Sequence, residues 1–400
     1  MTSRPASAAR GDIAHPAAIP FVLIHLGCIG AIWSGVTWPA VVLGAGLYVL
    51  RMFAITAGYH RYFSHRAFVT GRVFQFVLAT LAQSAGQKSV LWWAAHHRLH
   101  HLHSDTEHDP HSPTQGGFFR SHIGWVLDRR NDATDMVKVE DFAVYPELRW
   151  LHRYEALPPI LLAVLCFVVA GWPGLVVGFC WSTVAVYHAT FAINSIAHVH
   201  GQRRYVTGDH SRNNPVLAIA TLGEGWHNNH HAYPASARNG FRWWELDLTY
   251  SALTALAALG VVSELKTPPL ALVRNEHRLG NRVVRRAAEQ LAARFDPITT
   301  AHSLQRALGP ITAQQVGHAL QQPGNRPETG LGALPGAPTR ADFVDAAASL
   351  FGPTVSFDDI IEHALKIFFV AVGERLAQTI PAPVDALGAP RAYATTRVKS

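Results

Sequence analysis

Trp38-Pro-Ala-Val-Val-Leu-Gly-Ala-Gly-Leu-Tyr-Val-Leu-Arg-Met-Phe-Ala-Ile-Thr56, followed almost at once by His60-Arg-Tyr-Phe-Ser-His65, is the stretch that decides the architecture. The apolar part carries a single charge, Arg51, and is close to the roughly 20 residues an α-helix needs to cross hydrocarbon. It ends on histidines. Imidazole binds iron, zinc or copper while staying neutral near pH 7. An apolar rod that delivers imidazoles at one end predicts a metal centre held against lipid.

Three further runs have the same character: 19–34, 158–171 and 175–193. Together with 38–56 they pair through two short linkers without Lys or Arg, Gly35-Val-Thr37 and Trp172-Pro-Gly174. The spacing predicts two transmembrane hairpins, hence four spans. Composition agrees: 49% of residues are hydrophobic and only 15% charged, against roughly 25% charged in soluble proteins. Arg4 and Arg10 precede the first hairpin, and Arg61, Arg66, Arg72, Lys88, Arg98, Arg120, Arg129 and Arg130 lie between the hairpins. The positive-inside rule then places both termini and the histidines on the cytoplasmic side, in the inner membrane if the source is bacterial. A net charge of +7 suits a face lying on anionic lipid. No compact basic motif with interleaved aromatics points to nucleic acid. Cys28, Cys166 and Cys180 all fall in apolar spans with no CxxC pair, against disulfides and thiolate metal sites. The first apolar run starts near residue 19 without a cleavage signature, so no signal peptide is expected.

Outside the spans, residues 1–18 read as a disordered tail. Phe74 to Ala85 reads as an apolar helix too short to cross, leading through Trp92-Trp93 to more histidines. Residues 104–156, with turn formers such as Asp109-Pro110 and Gly116-Gly117, read as cytosolic loops and short helices. The expected fold is an all-α integral membrane protein whose cytosolic helical cap holds the histidines, covering residues 19–267. Residues 268–400 form a helical extension with a Gly/Pro linker at 322–340. In that extension Val283, Ala287, Leu291 and Phe295 make a stripe opposite Arg282, Arg285, Arg286 and Arg294. Such a basic amphipathic helix either lies on a membrane or packs on the protein. Ile361, Leu365, Phe368, Val372 and Leu376 make a second stripe.

Two more clusters join the first: His97-Arg-Leu-His100-His101 and His227-Asn-Asn-His230-His231. Positions i, i+3 and i+4 share one helix face, so each triplet can aim three imidazoles at one point. His60 and His65, five apart, fall off a common line; each could reach its own metal, or both one metal from a helix end. His96 and His103 point off the face of the second triplet. His25, Arg51 and His188 lie within apolar spans, where polar residues are functional candidates, although Arg51 is near enough to the inner interface to snorkel. Trp33, Trp38 and Trp172 read as an interfacial aromatic belt.

These words resemble the histidine boxes of membrane fatty-acyl desaturases, especially the stearoyl-CoA Δ9 group and its bacterial members. The resemblance rests on His60-Arg-Tyr-Phe-Ser-His65, on Trp93-Ala-Ala-His-His97-Arg-Leu-His100-His101 with Ser104-Asp-Thr106, on Asn194-Ser-Ile-Ala-His198, and on Gly223-Glu-Gly-Trp-His227-Asn-Asn-His230-His231. Gly117-Phe-Phe-Arg-Ser-His-Ile-Gly-Trp125 also matches, and about residues 20–265 are covered. The resemblance implies a di-iron centre, ferrous at rest. His60, His65, His97, His100, His101, His198, His227, His230 and His231 would be its ligands, and Asn194 would hold a water. Glu224, His111 and His122 are candidates for supporting hydrogen bonds.

The implied reaction is O2-dependent insertion of a cis double bond, at Δ9, into a saturated long-chain acyl group. With no Cys cluster and no GxGxxG fingerprint, electrons would come from a separate ferredoxin, rubredoxin or cytochrome b5 with an NAD(P)H reductase. Family members acting on acyl-CoA often carry Arg-Asp where this chain has Ala95-His96, so the implied substrate is either acyl-CoA or a phospholipid acyl chain. A fatty-acid or alkane hydroxylase on the same scaffold is the alternative enzyme, and a metal carrier with ligands mid-span is the non-enzymatic one.

Overall fold

The computed structural model describes residues 18–321 and 336–378. Residues 1–17 of the expected N-terminal tail (1–18) and most of the Gly/Pro linker (322–340) lie outside them. By internal contacts the chain divides into two units: residues up to His277 together with Phe351–Thr354, and the remainder from Arg278.

In the first unit, glycine and proline set the ends of the apolar helices. The opening run, Ala18–Gly27 continued through Cys28–Gly30 and Ala31–Ser34, stops at Gly35, whose φ of +70° is left-handed and suits glycine. Pro39 then falls in the first turn of Trp38–Phe53, where its missing N–H is not needed. This helix does not end at 56. It continues as a π-wound segment, Ala54–Ser64, so one apolar rod runs from Trp38 to Ser64. The second hairpin bends at Ala170-Gly171, where Gly171 has φ +58°, just ahead of the expected linker, and Pro173 opens the returning arm. That arm runs through Gly174–Trp181, Ser182–Ser195 and Ile196–His198. By length and apolarity, two described helices can cross a membrane: Trp38–Ser64 and Leu157–His198, the latter being both arms of the bent hairpin. Ala18–Ser34 is shorter. Trp33, Trp38 and Trp172 are exposed at the hairpin turns.

The two hairpins meet at glycines. A Cβ on Gly44 would lie 2.9 Å from the Val177 carbonyl oxygen, and one on Gly178 2.9 Å from Leu43 Cδ2, the close backbone approach that small residues permit between apolar helices. Arg51 departs from the snorkelling expectation. It is fully buried and donates to Thr183 Oγ1 (2.7 Å), Ser182 Oγ (2.5 Å) and the Leu47 carbonyl (3.2 Å). The hydroxyls of the returning arm satisfy the guanidinium where water cannot reach it.

Helices Arg72–Gln83 and Val90–His103 pack on Ala54–Ser64 around a core of Ala57, Phe63, Leu78, Ala82, Leu91 and Ala94. Short helical pieces follow from Pro113–Gly116 to Pro146–Arg153. The unit is mostly helical; among the described residues its β structure is one antiparallel two-residue ladder, Val69–Thr70 with Val262–Ser263, and the isolated bridges Gln202–Asn213 and Asn213–Trp226.

The second unit is helical. Asn281–Ala292 buries Val284, Ala287, Ala288, Leu291 and Ala292 and packs on Phe357–Gln378. Its apolar stripe is therefore covered by protein, which decides between the two readings of that helix. The second stripe, Ile361, Leu365, Phe368, Val372 and Leu376, is buried; Phe295 stacks on Phe343 at 4.1 Å, and Phe368 meets both edge to face at 5.8–5.9 Å.

Candidate metal centre

Helix Val90–His103 starts on Ser89, whose side chain accepts from the Trp92 N–H, a cap that satisfies one otherwise orphan donor. His97 and His101, one turn apart, face the end of the Trp38–Ser64 rod. There they meet His60, His65 and His230, and the ring nitrogens of these five lie within 4.8 Å of one another. Nε2–Nε2 separations are 2.8 Å for His65–His97, 3.0 Å for His97–His101 and for His60–His230, and 2.9 Å for His101–His230. His100, about 100° further round the helix than its neighbour, joins a second group with His198, His227 and His231. His198 and His227 approach to 3.0 Å in it.

Each triplet is thus divided between two histidine groups, in place of three imidazoles aimed at one point. In the second box the i, i+4 pair His97/His101 goes to the five-histidine group and His100 to the other. In the third box the i, i+4 pair His227/His231 goes to the four-histidine group, and His230 crosses over. His60 and His65 join one group, because i→i+5 winding brings residues five apart closer to one face than an α-helix does.

The donor set suits a metal. His100 Nδ1 donates to Asp109 (3.0 Å), His198 Nδ1 to Asp105 (2.9 Å) and His231 Nδ1 to Asp209 (2.7 Å), and His60 Nδ1 lies 2.6 Å from Glu224. Each of the three aspartates accepts at Nδ1, which leaves the Nε2 lone pair for a cation. His231 Nε2 is buried without a hydrogen-bond partner. Burial, and then the neighbouring imidazoles, push His65, His97, His101, His227 and His230 below the usual histidine range. They are neutral donors whose lone pairs converge, a placement a bound cation relieves. Burial raises the carboxyls of Asp105, Asp109 and Asp209, but the paired imidazoles outweigh it and hold all three low.

Sequence reasoning named Glu224 but not Asp105, Asp109 or Asp209. Two glycines place Glu224: Gly223 has φ +127°, and a Cβ on Gly225 would sit 2.0 Å from the Ala218 nitrogen. Between them Glu224 reaches both His60 and Arg61, whose guanidinium also binds Asp247 at 2.9 Å. Arg61 is buried, so it ties the first box to the third rather than marking an interface. Arg98 likewise binds Asp141 and the carbonyls of Phe63 and Ser64. The asparagines inside the third box hold its short helix, His227–Ala232. Asn228 Oδ1 accepts from the N–H groups of Arg204 and Tyr205, and Asn229 Nδ2 donates to Glu245.

The remaining candidates are placed as follows. Asn194 lines a cavity of about 40 Å³ beside His60, His97, His100 and His227. His111 packs against His100 with ring centroids 4.3 Å apart. His122 stands apart from both groups and bonds Ser195 Oγ (2.9 Å) and His188 (3.0 Å), with His188 in turn 3.2 Å from His25. His96 and His103 join neither group.

A second cavity, of about 420 Å³, reaches the first. Its walls come from Ile24, Ala163 and Phe179 in the apolar helices and from Tyr187, Thr190 and Trp93, and it arrives at His97 and Asn194. Trp93, Thr190, His97 and Asn194 line both cavities. An apolar cavity that ends beside His60, His97, His100 and His227 can hold an alkyl chain against a metal bound there and keep water from it.

A model of the fatty acid desaturase family matches residues 36–265. Among curated proteins, the chain is 39% identical over 249 residues to an sn-1 stearoyl-lipid 9-desaturase of Anabaena variabilis, covering 62% of this chain and 91% of that protein. It is 36% identical over 262 residues to an sn-1 stearoyl-lipid 9-desaturase of a Synechocystis strain, with 64% and 81% covered. An acyl-CoA 5-desaturase of Anemone leveillei is 36% identical over 249 residues, with 61% and 77% covered.

Proposed function

The chain belongs to the fatty acid desaturase family, whose members are oxidoreductases, and on that premise we propose that it inserts a cis double bond, at Δ9, into a saturated long-chain acyl group. The observation that carries this reading is the apolar cavity ending between a five-histidine and a four-histidine group. His60, His65, His97, His101 and His230 would hold one ferrous ion, and His100, His198, His227 and His231 the other. Asn194 would hold a water beside the four-histidine group, which is one imidazole short of the other. Both 9-desaturases named above support Δ9.

The bound iron pair supplies the reduction of O2 that makes two unactivated C–H bonds breakable, chemistry no acid–base side chain can provide. Per acyl chain, two C–H bonds break and one C=C bond forms. O2, two protons and two electrons from a ferredoxin, rubredoxin or cytochrome b5 leave with those two hydrogens as two waters. The side chains do the rest. Asp105, Asp109, Asp209 and Glu224 orient the imidazoles. Trp93 and Thr190 set which methylene pair lies beside the metals, and the apolar wall excludes water.

The two hairpins are read as four spans, 19–34, 38–56, 158–171 and 175–193, with both termini and the metal centre on the cytoplasmic face. The test is expression of the full chain in a desaturase-deficient host, with fatty acids profiled by gas chromatography–mass spectrometry and double bonds mapped. New cis-Δ9 monoenes are expected. Hydroxylated chains in their place would overturn the desaturase reading in favour of a hydroxylase on the same scaffold.

A further inference from the structure

Two short segments from beyond the family match, which ends at residue 265, close on one stretch of backbone, Arg203-Arg204-Tyr205. The first is the helix Leu270–Val273. Its Leu272 packs with Tyr205 and Phe241, and the Val273 carbonyl accepts from the Tyr205 hydroxyl at 3.1 Å. The second is Phe351–Thr354, which joins helix Arg340–Leu350 to helix Phe357–Gln378 yet belongs by its contacts to the first unit. Phe351 is buried, and the Arg203 guanidinium carbon lies over its ring, 5.2 Å from the centroid. That is within the roughly 6 Å at which an aromatic face holds a cation. Gly352 is seated so closely that a Cβ there would lie 2.0 Å from the Arg204 carbonyl oxygen, an approach only glycine permits.

Both arginines lead inward. Arg203 donates to the Asp209 carbonyl, and the Asp209 carboxylate accepts from His231 Nδ1 at 2.7 Å. Arg204 binds Glu245, which accepts from Asn229 Nδ2 at 2.8 Å. The Arg204 N–H donates to Asn228 Oδ1 at 2.7 Å. Asn228 and Asn229 stand between His227 and His230 on a helix of only six residues, His227–Ala232. A helix that short does not hold itself, so the aim of its imidazoles depends on what grips it from outside. An arginine side chain has many rotamers. A ring packed on the guanidinium favours the one that reaches Asp209, and a carboxylate behind a histidine governs how that histidine meets a metal.

We propose that Phe351 and Gly352 are positioning residues of the metal centre. Docked on Arg203 and Arg204, they fix Asp209 and the third-box helix, so cation binding by the four-histidine group depends on the C-terminal extension. The five-histidine group depends on it less, because His230 alone among its members stands on that helix. The inference rests on the metal reading given above and brings into it a part of the chain outside the family match.

The test keeps the full chain, purified in detergent with iron, and compares Phe351→Leu, Phe351→Tyr and Gly352→Ala with the wild type. Leucine keeps apolar bulk but removes the ring face, tyrosine keeps the face, and alanine at 352 presses on the Arg204 carbonyl. Iron is withdrawn with a chelator, and the two groups are followed separately by Mössbauer spectroscopy. Phe351→Leu and Gly352→Ala are each expected to weaken iron binding in the four-histidine group by about tenfold, the low end of what losing an outer partner of a ligand costs. The five-histidine signal and the circular dichroism are expected to match the wild type, and Phe351→Tyr is expected to keep wild-type affinity. Wild-type affinity in both Phe351→Leu and Gly352→Ala would overturn the positioning role and leave the metal centre standing. Equal weakening of both groups would overturn it as well, since the segment would then support the fold at large. A wild-type chain that takes up no iron would bring down the metal reading and the inference with it.

Discussion

The rings of His60 and His65 stand with centroids 4.9 Å apart although five residues separate them, and both belong to one five-imidazole group. An α-helix would turn the second ring well away from the first. The segment Ala54–Ser64 is instead wound with i→i+5 periodicity, and such winding is frequent where a helix serves a site. Moving the second histidine one place back, by Ser64→His with His65→Ser, gives the i, i+4 spacing that suits an ordinary helix. On this backbone it should remove iron from the five-histidine group, read as iron per purified chain. Full iron in the double variant would mean that the winding does not govern the site.

The carboxylates behind the imidazoles should set metal affinity without touching metal. Asp105→Asn, Asp109→Asn and Asp209→Asn each replace an acceptor that holds a histidine proton on Nδ1. Losing such a partner weakens metal binding by about 10- to 100-fold. Chelator competition on each variant should show that weakening while the fold, followed by circular dichroism, stays intact. Wild-type affinity in all three would remove the positioning role.

Arg61 supports the centre mechanically. Arg61→Met would leave Glu224 and Asp247 buried without their cation, and breaking a buried pair from one side costs about 3–5 kcal/mol. Thermal unfolding in detergent should therefore start well below wild type. An unshifted transition would show that the two acids find other partners.

Thr190 lines both cavities and accepts from Gln87 Nε2 at 3.1 Å. Thr190→Leu adds bulk where the acyl chain passes the metals. Displacement of a reacting group by about 1 Å can cost on the order of 100-fold in rate, so monoene yield should fall steeply at unchanged iron content. Loss of iron instead would make Thr190 a structural support of the metal site and not a wall of the substrate path.

What was legible in the sequence follows from what each residue can do alone. An imidazole can ligate a metal wherever it sits, so the three histidine clusters stood out without coordinates, and His198 was added by the resemblance to the desaturase boxes. Gly35 and Pro39 end and start helices by backbone rules that need no tertiary context, and the hairpin turns fall close to the expected places. Which histidine joins which group was not legible, because it depends on π winding near His60 and on how two helices present adjacent positions such as His100 and His101. Asp109 read as a turn former beside Pro110, though it accepts from His100, nine residues earlier in the chain. Asp105 could have been flagged, since it lies within the Ser104-Asp-Thr106 word. Arg51, Arg61 and Arg98 read as interfacial charge; the side chains that bind them, Thr183, Glu224 and Asp141 among them, come from segments distant in sequence.

The central claim is that two irons are bound and that neighbouring residues of one helix serve different ones. Iron per chain and the Mössbauer spectrum of wild type, His100→Ala and His101→Ala test it most directly. The account predicts two irons in wild type, one in each variant, and different surviving spectra, because His100→Ala spares the five-histidine site and His101→Ala the four-histidine site. Identical spectra from the two variants, or a wild-type protein that binds a single iron, would contradict it.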